Sequence, residues 1–105
     1  MTVYVDDIQI PARVGRRDAR WSHLFTDSAD LGELHTFAAR IGLRRAWFQD
    51  KSDQAYDFSH YDVTEGKRRQ AIAAGAVAVS WRDTSDILRR AHEARQATRH
   101  GGDSR

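Results

Sequence analysis

The sequence contains no cysteine among its 105 residues. That excludes disulfide scaffolds, thiol nucleophiles, iron–sulfur clusters and cysteine zinc fingers, so any metal must be held by His, Asp, Glu or water. Long apolar runs are missing as well. The longest, Ala71 to Val79, is interrupted by Gly75 and falls far short of the roughly 20 residues that span a bilayer. The start of the chain, Thr2-Val3-Tyr4-Val5 followed by Asp6 and Asp7, lacks the basic opening and apolar stretch of a secretory leader. No membrane association and a cytoplasmic location are therefore expected. Neither phosphate-binding glycine pattern, GxGxxG or GxxxxGK[ST], occurs, and Ser22 and Ser80 have no glycine elbow around them, which argues against a serine hydrolase.

Lysine is scarce: Lys51 and Lys67 are the only two among 17 basic residues, set against 15 acids for a net charge of +2. That balance is too weak to imply a nucleic-acid partner. Arginine suits forked contacts to phosphate or carboxylate, although a general compositional bias toward arginine is the better explanation of its excess. What remains is enough for one modest core, so residues 1–98 are expected to form a single domain and residues 99–105 a disordered tail.

Val3 and Val5 around Tyr4 form a short β-branched run that reads as a first strand. Asp30-Leu31-Gly32-Glu33 has the pattern of a capping box. Leu31, Leu34, Phe37, Ala38 and Ile41 follow at helical spacing, and Gly42-Leu43 supplies the stop. Arg45 to Gln49 predicts a second strand and Ala76 to Trp81 a third. Thr64 predicts the cap of a helix that ends at Gly75, and Asp83 or Ser85 caps the last helix. Strand, helix, strand, helix, strand, helix in series implies an α/β fold, a small three-layer or two-layer βαβαβα domain with a mainly parallel sheet. Its expected core is Val3, Val5, Leu34, Phe37, Ile41, Phe48, Ile72, Val77 and Val79. Three strands leave open edges, so an extra strand between residues 8 and 25, or a homodimer, is also expected.

In such a sheet, ligands lie beyond the carboxyl ends of the strands. Asp6 and Asp7, Asp50, and Ser80 to Asp83 would meet there with the helix entry His60-Tyr61-Asp62. Converging carboxylates need a proton, an arginine or a cation to offset them, which makes Asp6, Asp50 and Asp62 candidate ligands of a divalent metal. Asp6, His60 and Asp62 are the candidate catalytic groups, with His60 as acid or base and a neighbouring carboxylate to orient it. Arg20, Trp21, His23, His35 and Arg68 are candidate ligand-binding residues, arginine for phosphate and Trp21 for stacking within the basic stretch Arg13, Arg16, Arg17 and Arg20. Each also has an ordinary reading, as turn aspartate, helix cap, core histidine or solvated arginine.

Tyr4-Val5-Asp6-Asp7, Trp21-Ser22-His23-Leu24, the stretch from Glu33 to Ala38, His60-Tyr61-Asp62-Val63-Thr64 and the stretch from Arg69 to Ala76 together resemble a family of short bacterial and phage proteins filed as a domain of unknown function. The resemblance covers about residues 2 to 83, and this chain departs from it by a longer insertion around Lys51 to Ser59. It supplies no activity. Some members look joined to phosphohydrolase-type domains, which implies nucleotide chemistry, and the shared motifs contain Asp6, His23, His35, His60 and Asp62.

Three function classes follow: a metal-dependent phosphoesterase or nuclease, a noncatalytic module that binds a nucleotide or nucleic acid, and a dimeric interaction protein. The first is favoured because acids and histidines mark the expected site edge.

Overall fold

The computed structural model describes residues 2–14, 17–28, 30–51 and 58–103. Six strands and three helices follow in the order β1 (Val3–Val5), β2 (Ile10–Val14), β3 (Arg17–Thr26), α1 (Gly32–Arg40), β4 (Phe48–Gln49), β5 (His60–Thr64), α2 (Glu65–Ala73), β6 (Val77–Ala78) and α3 (Trp81–Asp103). A single 3-10 turn, Arg45–Trp47, leads into β4. The strands form one sheet in the order β4-β5-β3-β1-β6, with β2 also paired to β3. No helix among the described residues is long and apolar enough to cross a membrane.

The mainly parallel sheet expected from the sequence is overturned. β1 and β6 do run parallel, but the other four pairings are antiparallel. The reason lies in residues 10 to 26, whose polar composition disguises two strands. In β3, Trp21, His23 and Phe25 alternate with Ser22, Leu24 and Thr26, the period of a strand with two different faces. β2 and β3 make an antiparallel pair from Ile10–Trp21 to Val14–Arg17, which needs no crossover. β5 occupies a stretch that reads as loop and helix cap. The expected second strand at residues 45 to 49 shrinks to the 3-10 turn and the two residues of β4.

The main apolar cluster lies on one face of this sheet, while Phe25 is fully buried on the other, stacked on Tyr4 and edge-on to Phe58. Leu34, Phe37, Ala38 and Ile41, spaced three and four apart along α1, pack with Val3, Val5, Leu24, Tyr61, Val63 and Ala71 of α2. Five of the expected core residues are buried there. Ile72 and Val77, however, are 38% and 44% exposed, because α2 turns Ala71 inward instead and β6 is an edge strand. Val79 is half-buried, and Phe48 packs partly buried against the cluster.

Both helix stops are Schellman turns, as the glycines predict. Gly42 has φ +86, and its amide and that of Leu43 reach the Ala39 and Ala38 carbonyls at 3.0 and 2.9 Å. Gly75, with φ +114, lets Ala76 N reach the Ala71 carbonyl at 2.9 Å. The capping box forms only in half: Asp30 Oδ1 accepts from Gly32 N at 2.9 Å, whereas Glu33 Oε1 is buried with no hydrogen-bond partner. Thr64 caps α2 through Lys67 N at 3.3 Å.

Candidate metal centre

Alternation along β3 and β5 sends Leu24, Tyr61 and Val63 into the core and leaves His23, His60 and Asp62 on the opposite face. His23 and Asp62 stand directly across from each other in the β3–β5 pair. Cross-strand partners on one face are close enough to touch, and His60, two residues from Asp62, shares that face.

Asp6 joins them through an irregular ladder. It continues β1 opposite His23, and its amide donates to the His23 carbonyl at 3.0 Å. The return bond is taken by the side chain: His23 N donates to Asp6 Oδ1 at 2.9 Å. Asp6's own carbonyl, thereby released, accepts from Arg68 Nε at 2.8 Å. The chain then bulges, and the register against β3 slips by two residues between β1 and β2. Ile8 N donates to Asp6 Oδ1 at 3.3 Å, Gln9 N donates to Ser22 Oγ at 3.2 Å, and Gln9 takes φ +51. Bulges commonly re-aim a side chain in this way. Here the outcome is a carboxylate, 1% exposed, whose Oδ2 lies 2.8 Å from His23 Nδ1.

That contact decides the tautomer of His23. A carboxylate only accepts, so Nδ1 carries the hydrogen and the neutral ring keeps a lone pair on Nε2. His60 is fixed the same way: its Nδ1 is 2.7 Å from the Phe58 carbonyl, another acceptor. The Phe58 ring packs 5.0 Å from His23 and 4.7 Å from His60, and the two imidazoles are 4.7 Å apart, nearly perpendicular.

His60 Nε2 then faces Asp62 Oδ1 at 3.3 Å. A bare lone pair and a carboxylate oxygen repel at that distance, so the arrangement calls for a cation between them, either a proton or a metal ion. The donor atoms of His23, His60 and Asp62 all lie within 4.8 Å of one another. Around a tetrahedral zinc with bonds of about 2.0–2.1 Å, neighbouring ligand atoms are about 3.4 Å apart. The His60–Asp62 pair already has that spacing. With a proton between the two, the hydrogen bond from His60 holds the Asp62 carboxyl below the usual carboxylate range, against the opposing effect of burial. Gln49, opposite His60 in β4, donates from Nε2 to Asp62 Oδ2.

The cluster opens on the Asp62 side, whose side chain is 37% exposed. A cavity of about 520 Å³ adjoins it, lined by Trp21, Gly42, Leu43, Trp47, Gln49, Asp62, Thr64 and Lys67. A volume of that order suits a small organic ligand.

The expected site residues divide among different places. Asp6, His23, His60 and Asp62 come together on one sheet face, Asp6 just past the carboxyl end of β1 as expected, His60 at the start of β5, and His23 and Asp62 within their strands. Asp6 is occupied by His23 and therefore stands behind the three donors. Asp50 is exposed, its Oδ1 3.4 Å from Ser59 Oγ, and is not among the three donors. Arg68 spends its Nε on the Asp6 carbonyl. Arg20 is exposed on β3 opposite Pro11. Trp21 lines the cavity while its Nε1 donates to the Ala12 carbonyl at 3.1 Å. His35 lies on α1 with Nδ1 2.8 Å from the Tyr61 hydroxyl, on the core side of β5. Asp7 accepts from Trp81 N at 2.8 Å, at the start of α3. Arg16 of the basic stretch, and residues 52–57 of the insertion around Lys51 to Ser59, lie outside the described residues. Sequence reasoning missed Gln49, Trp47, Lys67 and the Phe58 carbonyl. The one signal for the group was the polar–apolar alternation of His60-Tyr61-Asp62-Val63, which marks a strand with a chemical face.

A family model described as "Protein of unknown function (DUF4031)" matches residues 3–91, and the chain belongs to that family. Neither the curated proteins nor the solved structures contain a match.

Proposed function

We propose that this member of a family without an assigned activity is a metal-dependent hydrolase acting on phosphoesters. His23 and His60 through Nε2, and Asp62 through a carboxylate oxygen, hold one divalent cation. Two imidazoles and one carboxylate suit zinc, iron or manganese, and three protein ligands leave a position for water or substrate. The metal would lower the pKa of its water and polarise a phosphoryl oxygen. Asp6 keeps the His23 ring in the ligating tautomer, as carboxylates behind metal-bound histidines do. Lys67 in the cavity wall, with Arg44 and Arg45 beside Trp47 and Phe48, supplies positive charge for the anion. The observation that carries the reading is the pair of histidines whose Nδ1 atoms are pinned to acceptors and whose donor atoms cluster with that of Asp62 within 4.8 Å.

The test is calorimetric titration of chelator-treated protein with Zn²⁺ and Mn²⁺, followed by turnover of bis-p-nitrophenyl phosphate by the loaded protein. Stoichiometric binding and hydrolysis, both lost in His60→Ala, are expected. Equal metal affinity in a folded His23→Ala/His60→Ala variant would remove the cluster from the proposal, and metal binding without turnover of any phosphoester would remove the catalysis.

A further inference from the structure

We infer that the cavity beside the histidine–aspartate cluster takes the planar ring of a nucleotide, with the nucleotide's phosphate directed to the metal. This rests on the metal reading for the phosphate end only. The ring end stands on the cavity itself.

Trp21 and Trp47 both line the cavity, together with Leu43. Two indoles and a leucine make a wall suited to a flat, weakly polar group. Trp47 is 50% exposed, although a tryptophan left in water forgoes most of the burial that its size can contribute. It sits on the 3-10 turn with the Arg44 guanidinium 5.9 Å from its ring centre, so a stacked base would meet both π surface and positive charge. Gly42 keeps the wall low. Its φ of +86 disfavours any side chain, and a Cβ there would come within 3.0 Å of Lys67 Nζ. That ammonium is tied to the Ile41 carbonyl at 2.7 Å and to Gln70 Oε1 at 3.3 Å, which fixes one positive charge at the cavity wall. Asp62 and Gln49 complete the wall on the cluster side. The cavity is therefore apolar and aromatic at one end and faces metal-ligating chemistry at the other. A nucleotide has that polarity. A phosphorylated sugar lacks the ring, and a free nucleoside lacks the charge.

The full-length protein is tested by tryptophan fluorescence and calorimetry with three probes: adenosine, ribose 5-phosphate and adenosine 5′-monophosphate, each with and without Zn²⁺. Adenosine is expected to quench fluorescence in metal-free protein, and the monophosphate to bind more tightly than either fragment once zinc is present. Trp47→Ala should weaken both adenine compounds roughly tenfold, the scale of one stacking contact, and leave ribose 5-phosphate unchanged. Trp81→Phe, at a residue not among those lining the cavity, should change none of them. Trp21→Phe keeps a ring and the fold, and should weaken adenosine less than Trp47→Ala. Adenosine binding no tighter than ribose 5-phosphate to the metal-free protein, or equal loss of all three probes in Trp47→Ala, would overturn the inference. Zinc titration separates the two claims: zinc bound without adenine preference sinks the ring site alone, and adenine bound without zinc affinity sinks the metal reading alone.

Discussion

The two faces of the β3–β5 pair are built from the same ten or so residues and behave as different materials. On one, Leu24, Tyr61 and Val63 pack against Val5 and the apolar stripe of α1. On the other, one residue out of phase, His23, His60 and Asp62 form a polar group whose hydrogen bonds run to Asp6, the Phe58 carbonyl and Gln49. A side-chain period of two lets a short strand carry a core and a site at once. Stability should therefore reside on one face and ligand chemistry on the other, and substitutions can test how cleanly the two separate.

The largest effect should come from the core face. Leu24 is fully buried, so Leu24→Ala should cost about 2–5 kcal/mol, the transfer and cavity cost of a core leucine. Urea denaturation measures it. The counterpart on the other face, His60→Ala, should remove metal binding for a much smaller loss of stability. If His60→Ala destabilises as much as Leu24→Ala, the cluster is structural and the faces do not divide the labour.

Next is the coupling of Asp6 to His23. Asp6→Asn keeps an oxygen for the His23 and Ile8 amides but places a neutral amide against His23 Nδ1, which relaxes the tautomer. Metal affinity should fall about 10- to 100-fold, the usual cost of losing a carboxylate behind a metal-bound histidine, with little change in the unfolding midpoint. Unchanged affinity would separate Asp6 from the site.

These four groups were recognisable in the sequence as residue types, and their partners were not. Asp6 stood out because a carboxylate ends a β-branched run, and His60-Tyr61-Asp62 because imidazole and carboxylate fall two apart. Their pairing depends on register, and antiparallel register is set by contacts far apart in the chain. Nothing local announces that β1 and β2 flank a bulge, or that β3 hides inside an arginine-rich stretch. The helices were legible for the opposite reason: the spacing of Leu34, Phe37, Ala38 and Ile41 and the Gly42 stop are local signals. The parallel sheet was a sound inference from the order of elements that could be seen, and it failed because β2, β3 and β5 were missing from that order; the extra strand expected between residues 8 and 25 is there, but as an antiparallel pair.

Arg68 tests whether the faces communicate. Its Nε bond to the Asp6 carbonyl ties α2 to the bulge that aims the carboxylate. Arg68→Met keeps the stem and loses the donor, and should cost about 1.5–3 kcal/mol, as for a hydrogen bond made by a charged group, reduced because the side chain is only half-buried. Metal affinity should weaken with it, since the carbonyl left without its donor loosens Asp6. Loss of stability with no change in metal affinity would show that the bulge holds its shape without α2.

The smallest effect concerns the histidine on the core side. Burial, reinforced by the nearby Arg45 charge, pushes His35 below the ordinary imidazole value of 6.5, and its ring packs edge-on to Phe48 with the Tyr61 hydroxyl on Nδ1. As pH falls, the unfolded chain therefore takes up this proton before the folded one does. His35's contribution should be complete above the ordinary value and decline as pH drops through the lowered folded value. Urea midpoints for wild type and His35→Gln, compared at about pH 8 and about pH 5, should differ more at the higher pH. A gap that widens toward acid would mean that the folded protein prefers the imidazolium, and His35 would then belong with the charged chemistry of the opposite face.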